Sequence, residues 1–310
     1  MTHFIVLACL EDPGQLSEML APYDENREAA PYRSYEDGLP EEHWAVKSLR
    51  AEGKLPDGPL TWQQVADAVN VAYCQGADDE GDHLFLDEDT DRAYMMSTRN
   101  QQSKWDWYTV GGRWGGSLRY KPGHAGEVLM PEQSWSSPEK FPFFGCDGGP
   151  KRALDLEKVR QDAEDEARTL YREYQGLVAG LPEAVPFSVF AGMVSEGSGY
   201  TIERARQEYH SQLRVARLNA EGSPFRWSSK DVLEVFSVSE DEHARRQRDQ
   251  AVPGYALLTT DGEWMAPGTM GWFGMSDDGP DDRAAYLRAA NAYVDSLPDD
   301  AWLVVVDCHI

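Results

Sequence analysis

The sequence is poor in the signatures that mark familiar catalytic machinery. Its four cysteines, Cys9, Cys74, Cys146 and Cys308, form no C-x-x-C pair, so neither a zinc knuckle nor a dithiol redox motif is present. H-E-x-x-H and G-x-S-x-G are missing, which leaves zincin and α/β-hydrolase readings without support. No G-x-G-x-x-G follows a strand-like run, and no G-x-x-x-x-G-K-[ST] occurs. The acid-rich stretch 77–91 lacks the order of a calcium loop. No run of about 18 apolar residues exists to span a bilayer. No basic, then apolar, leader opens the chain, and a cytoplasmic location is expected. Basic residues are scarce too: 29 Lys and Arg face 54 Asp and Glu, a net charge of −25. Extensive nucleic-acid binding is therefore not expected, because neutralising phosphates needs a basic patch. The plain reading of the charge is solubility; sharper ones are an acidic protein-interaction module or a nucleic-acid mimic.

Aromatic residues, in contrast, are concentrated. Lys104 to Gly116 holds Trp105, Trp107, Tyr108 and Trp114 with four glycines. Lys104–Val110 alternates and reads as a strand. Gly111-Gly112 can supply the two positive φ angles of a type I′ turn, with Arg113–Tyr120 returning. One face of that hairpin carries Trp105, Trp107, Trp114 and Leu118, and suits a core. The other carries Asp106, Tyr108, Arg113 and Ser117. Gly115 opposite Tyr108 leaves a slot that a flat group can enter, with the Arg113 fork holding its anionic part. The competing structural reading is that Tyr108 and Trp107 merely cover weak glycine positions. Trp107, Tyr108, Arg113, Gly115 and a later residue, Trp272, are the candidate ligand-binding set.

Along the chain, His3–Leu10 reads as a buried strand. Thr61 opens a capped helix to about Tyr73, and Ala93–Thr98 reads as a strand. Asp155 caps a helix to about Gly176, whose apolar stripe suits packing on the body or a homo-oligomer contact through residues 155–177. Val185–Val194 and Val232–Val238 read as strands, Thr201–Asn219 as one helix, and Ser239 as a second helix cap. Tyr255–Ala266 is a hairpin, Gly279-Pro280 starts a helix, and Ala301–Ile310 is a last, central strand. The order predicts an α+β fold with a mainly antiparallel sheet. Its expected form is a ferredoxin-like core with a large helical insertion. Residues 1–120 with 251–310 would be the core, and 121–250 the insertion, in one compact unit.

A second constellation lies at the end of the chain. Asp307 and His309 share a strand face, a pattern that orients a general base or binds a metal. Glu263 opens the returning strand of the late hairpin and can join them as a third catalytic candidate. Asp24, beyond an early helix end, would complete an oxygen-rich site. Asp24, Glu263, Asp307 and His309 are thus the candidate ligands for one divalent ion. Solvent exposure and turn chemistry are the plain alternative for each.

Four stretches carry a resemblance. They are Leu20-Ala21-Pro22-Tyr23-Asp24-Glu25-Asn26; Ser103–Tyr108 with Gly111-Gly112-Arg113-Trp114; Asp261-Gly262-Glu263-Trp264 with Met270–Gly274; and Val306-Asp307-Cys308-His309. On these the chain resembles a family of uncharacterised proteins encoded by bacteriophages and by bacteria, including actinobacteria. It departs from the usual form at Asn100-Gln101, where an Asn-Pro pair is expected. The resemblance implies a phage or mobile-element setting, and so a host cytoplasm, but no reaction. It also suggests that the four stretches meet in space. The functional expectation is a protein binding a small anionic, nucleotide-like ligand, acting in counter-defence. A metal-dependent phosphoester hydrolase and an acidic module contacting a host protein are the alternatives.

Overall fold

The computed structural model describes residues 3–74, 83–87, 89–131, 144–195, 199–228, 231–269 and 276–310. In chain order the strands are β1 (His3–Leu10), β2 (Tyr32–Tyr35), β3 (Phe85–Asp87), β4 (Arg92–Ser97), β5 (Trp107–Val110), β6 (Leu118–Arg119), β7 (Gly145–Cys146), β8 (Gly148–Pro150), β9 (Ala256–Leu258), β10 (Trp264–Met265) and β11 (Trp302–His309). The helices are α1 (Leu16–Leu20), α2 (Val46–Ala51), α3 (Trp62–Tyr73), α4 (Leu156–Val178), α5 (Phe187–Ala191), α6 (Ile202–Ser211), α7 (Leu213–Leu218), α8 (Val232–Val235), α9 (Glu240–Gln250) and α10 (Pro280–Ser296). The protein is α+β.

The chain divides differently from the expectation. One unit is 1–20 with 107–310, and the other is 21–106. The helical stretch after residue 150 belongs to the same unit as the main sheet, because Leu156 and Val159 of α4 bury their side chains in that sheet's core.

The main sheet of the larger unit runs β10-β9-β1-β11-β5, with β8 also on β11. β11 is its axis. All of its residues but Trp302 are buried, as an apolar run on both faces predicts for a central strand. Along one edge β11 pairs antiparallel with the whole of β1. Along the other edge it pairs first with β8 (Trp302–Val304) and then with β5 (Val306–His309). β9 pairs parallel with β1, so the sheet is mixed, though mainly antiparallel. A ferredoxin-like order alternates antiparallel neighbours, and the adjoining parallel β1–β9 pair does not fit it. On one face, Leu7, Cys9, Leu303 and Val305 pack beneath Leu287, Ala290 and Val294 of α10 and Leu156 and Val159 of α4.

Caps behave as their chemistry dictates. Asp155 accepts from the Lys158 N–H at the start of α4, Ser239 from the Glu242 N–H at the start of α9, and Pro280 occupies the first turn of α10 after Gly279. The stripe of α4 is covered within the chain. Tyr174 and Val178 join a cluster with Val215, Leu218 and Phe236, and Arg168 and Arg172 pair with Asp241 and Glu240 of α9. The stripe is thereby explained without a second subunit. Two expected strands are helices: α5 lies in Val185–Val194 and α8 in Val232–Val238. Short apolar runs do not distinguish the two states. The expected single helix over Thr201–Asn219 breaks at Gln212, whose backbone is extended (φ −69°, ψ 136°). Its side-chain amide accepts from the Val185 N–H (2.7 Å) and donates to the Val185 carbonyl (2.9 Å). A polar residue with a two-way partner off the helix has thus ended it.

The smaller unit, 21–106, carries the sheet β2-β4-β3 with α2 and α3 on one face. Thr61 caps α3 through a capping box with Gln64. Its core includes Val46, Leu49, Trp62, Val65, Val69, Leu84 and Ala93.

Candidate functional site

The stretch rich in tryptophan and glycine does not form the expected two-residue hairpin. Gly111 and Gly112 do have positive φ (68° and 50°), but residues Gly112–Trp114 make a 3₁₀ turn. β5 pairs with β11, and β6 pairs with β7. Tyr108 therefore faces Cys308, not Gly115, and the proposed Tyr108–Gly115 slot is not formed. The reason lies at Val305, where the neighbour of β11 changes from β8 to β5. There the Gly111 N–H donates to the Val305 carbonyl (2.8 Å), and the Val305 N–H donates to the Asp147 carbonyl (2.7 Å). With β11 already occupying that edge, the chain after Gly111 must leave the sheet.

It leaves by wrapping two buried carboxylates. The Arg113 N–H donates to Asp307 Oδ2 (3.0 Å), and the Gly116 N–H donates to Asp147 Oδ1 (2.6 Å). A Cβ on Gly111 would lie 2.2 Å from Asp147 Oδ2, and one on Gly112 would lie 2.4 Å from Asp307 Oδ2. Both glycines are needed for this close approach as well as for their φ angles. The same turn sends Trp114 inward, against the core, and Arg113 outward into solvent.

Strand register then assembles a cluster at the end of the sheet. His3 faces His309 across β1–β11, and Trp107 faces His309 across β11–β5. Direct partners share a face, so His3, His309 and Trp107 form one row. Asp307 sits in the next row, between Ile5 and Thr109. The Trp107 ring stacks on His309, with centroids 5.2 Å apart and 16° between planes. His3 stands edge-on to both, at 5.2 Å from Trp107 and 5.0 Å from His309. Its Nδ1 lies 2.8 Å from Asp307 Oδ1. A carboxylate only accepts, so Nδ1 is the donor in this contact, and Nε2 takes no part in it. Asp307 is 2% exposed and His309 5%, whereas Trp107 keeps 44% of its surface in solvent. Each Asp307 oxygen has a donor, which is what a buried carboxylate requires.

Of the expected residues, Asp307, His309, Trp107 and the Arg113 backbone meet here. Glu263 does not. It is exposed, in the turn after β9, where its carbonyl accepts from the Thr259 N–H. That turn follows Leu258, the neighbour of Ala8, which in turn faces Val304. Glu263 is thus at the other end of the sheet from His309, roughly 20 Å away along the strands at about 3.3 Å per residue. Asp24 belongs to the 21–106 unit, where it makes a turn: its Oδ1 accepts from the Asn26 N–H (2.8 Å) and the Asn26 side-chain amide (3.1 Å). Trp272 lies outside the described residues. The expected four-residue divalent-ion set is therefore not assembled, and among the described residues no group of three or more His, Cys, Asp or Glu has the geometry to hold an ion.

Three of the four stretches that carried the resemblance meet, in two pairs, whereas Asp261–Trp264 runs through the β9–β10 turn and Met270–Gly274 lies outside the described residues. Trp107–Trp114 meets Val306–His309 in the larger unit. In the smaller unit, residues 21–26 are sewn to 100–106: the Lys104 N–H donates to Tyr23 (2.8 Å), the Glu25 N–H to Trp105 (2.8 Å), and Asn26 Nδ2 to the Asp106 carbonyl (2.7 Å). Asn100, at the departure from the usual form, donates to the carbonyls of Pro22 (2.7 Å) and Asp24 (2.9 Å).

Sequence reasoning missed His3 and Asp147. His3 opens the first strand, and its signal was available only through pairing: when first and last strands run antiparallel, their outer ends coincide. Asp147 was marked only by being the acid inside Gly145-Cys146-Asp147-Gly148-Gly149, where small neighbours let backbone close on a carboxylate. No protein-family model, curated protein or solved structure matches the chain, so the site stands on its own geometry.

Proposed function

We propose that the protein acts on a small anionic, nucleotide-like phosphoester at the end of its main sheet, with His3 as general base. The observation that carries this reading is the pair of buried Asp307 and part-buried His3, with its 2.8 Å contact, beside a half-exposed tryptophan. Asp307, held from the other side by the Arg113 N–H, fixes the His3 ring and its tautomer. His3 Nε2 then takes a proton from an attacking water. A new P–O bond forms, the ester P–O bond breaks, and the proton passes to the leaving oxygen. Trp107 offers the ring face turned away from His309 to a base, a contact worth about 1–3 kcal/mol. Arg113, exposed on the turn whose backbone holds Asp307, supplies a guanidinium for the phosphate. In a phage setting the substrate would be a nucleotide signal, and its removal would be counter-defence.

The test is a panel of nucleoside monophosphates and cyclic phosphates, with chelator present, followed by calorimetry for binding and ³¹P NMR for turnover. Trp107→Leu and Arg113→Ala should weaken binding. His3→Gln should lower turnover by about a hundredfold or more while binding persists. If nothing on the panel binds tighter than about 1 mM and nothing turns over, the reading fails.

A further inference from the structure

Helices α5 to α8 surround a cavity of about 310 Å³, at the small end of ligand-binding volumes. Its floor is apolar and buried: Val215, Leu218, Phe225 and Val232. Phe187 and Tyr209 wall it, with ring centroids 5.6 Å apart at 73°. Arg206 and His210 line its mouth from α6, one helical turn apart and both exposed.

Two features separate this cavity from ordinary packing. First, most arginines on these helices and on α4 and α9 are paired, and among the described residues Arg217 of α7 shares with Arg206 the lack of an ion pair. Arg168, Arg172, Arg204, Arg214, Arg245 and Arg248 all make ion pairs. Arg206 makes none among the described residues, although acids outnumber bases in the chain; its electrostatic neighbour is Glu203 on its own helix. Second, the acid that lines the cavity is already saturated. Asp231 accepts from the Phe187 N–H (2.6 Å), the Tyr209 hydroxyl (2.8 Å) and the Leu233 N–H (2.9 Å). Its oxygens are engaged by internal donors while the carboxylate keeps its charge, and Tyr209 is pushed well above its ordinary value by burial and this bond. What remains for a ligand is an apolar, ring-walled floor under a guanidinium and an imidazole.

We propose that this cavity binds a small single-ring aromatic anion, with the ring on Phe225 and Val232 and a carboxylate or phosphate on Arg206. A guanidinium fork takes either group bidentately. The volume has room for a single-ring ligand, since a cavity of about 150 Å³ already takes benzene.

The experiment is calorimetric titration of the full chain with benzoate, phenyl phosphate and benzyl alcohol. At least one anion should bind, and the neutral alcohol should bind about tenfold more weakly or worse. Binding of both anions assigns the shared fork chemistry, whereas binding of one alone assigns the carboxylate or the phosphate class. Arg206→Ala should weaken the anion at least about tenfold, while Arg206→Lys retains part of the affinity. Arg217→Ala, an exposed arginine outside the cavity lining, should leave it unchanged. The proposal is overturned if no anion binds tighter than about 5 mM, if the alcohol binds as well as the anions, or if Arg206→Ala binds like the wild type.

Discussion

Gly112→Ala tests the carboxylate-wrapping turn most directly. Gly112 has φ +50°, and an added Cβ would sit 2.4 Å from Asp307 Oδ2, 2.5 Å from Asp307 Cβ and 2.7 Å from Thr109 Cγ2. The left-handed backbone alone costs an L-residue about 1–2 kcal/mol. The steric conflict must also be relieved, and neither Asp307 nor the strand beneath can retreat, since both are buried in the sheet. The turn therefore has to lift, stretching the bond from the Arg113 N–H to Asp307. A hydrogen bond to a charged group contributes about 1.5–3 kcal/mol. The expected loss is about 3–4 kcal/mol, or about 6–16 °C in Tm at 2–4 °C per kcal/mol for a unit of this size. Gly180→Ala is the matched control. Gly180 has φ +75° but nothing within 4 Å of an added Cβ, so it should lose only the backbone term of about 1–2 kcal/mol. The assay is calorimetric melting of both variants beside the wild type. If the two variants melt within about 2 °C of each other, Gly112 is only a turn glycine, and the close approach to Asp307 contributes nothing.

Three further outcomes are expected. Asp307→Asn still accepts from the Arg113 N–H but turns an amide donor toward His3 Nδ1, forcing the other tautomer. Turnover should fall about 10³–10⁴-fold, as for a triad aspartate, with little change in affinity; equal loss of both would point to a structural role only. His243 is buried beside Phe236 and Tyr171, and burial pushes its pKa below the ordinary 6.5. The unfolded chain then binds the proton more readily than the folded one. Stability should therefore be complete above about pH 6.5 and decline as pH falls toward the folded value, at up to about 1.4 kcal/mol per pH unit. Melting curves between pH 8 and 5 should show a shallower decline in His243→Phe, and an unchanged slope would refute it. Gln212→Ala removes two side-chain bonds to the Val185 backbone and should cost about 1–3 kcal/mol in a urea titration, whereas an unchanged midpoint would mean that water replaces both.

The elements with strong local chemistry were legible in the sequence. Asp155, Ser239, Thr61 and Gly279-Pro280 carry their helix starts in the side chain or ring itself, and no tertiary context is needed to read them. The late hairpin formed where Asp261-Gly262 lies, with Gly262 at φ +85°. Elements decided by tertiary contact were not legible. Val232–Val235 is apolar in either state, and its helix follows from the Asp231 carboxylate capping the Leu233 N–H. Gly111-Gly112 carries the correct φ signs for a hairpin, but the turn type was overridden by a strand almost two hundred residues later that had taken the edge of β5.

The site shows the same division. Asp307 and His309 share a face because strands alternate, a rule that needs no partner. Which third residue joins them depends on pairing order, and pairing order is a property of the whole chain. Glu263 was a reasonable choice if the late hairpin had lain beside β11. β1 lies there instead, with β9 beyond it, so the place beside His309 went to His3. The same insertion explains why the aromatic stretch and the Asp-x-His stretch lie together although 194 residues separate Arg113 from Asp307. β1 fills one edge of β11, and Trp107 enters the row from the other. The glycines that follow are then constrained twice, once by their φ angles and once by the carboxylate each covers. A residue that answers to two independent constraints tolerates substitution least, and on that ground Gly111 and Gly112, more than the tryptophans that first draw the eye, fix the geometry of the cluster.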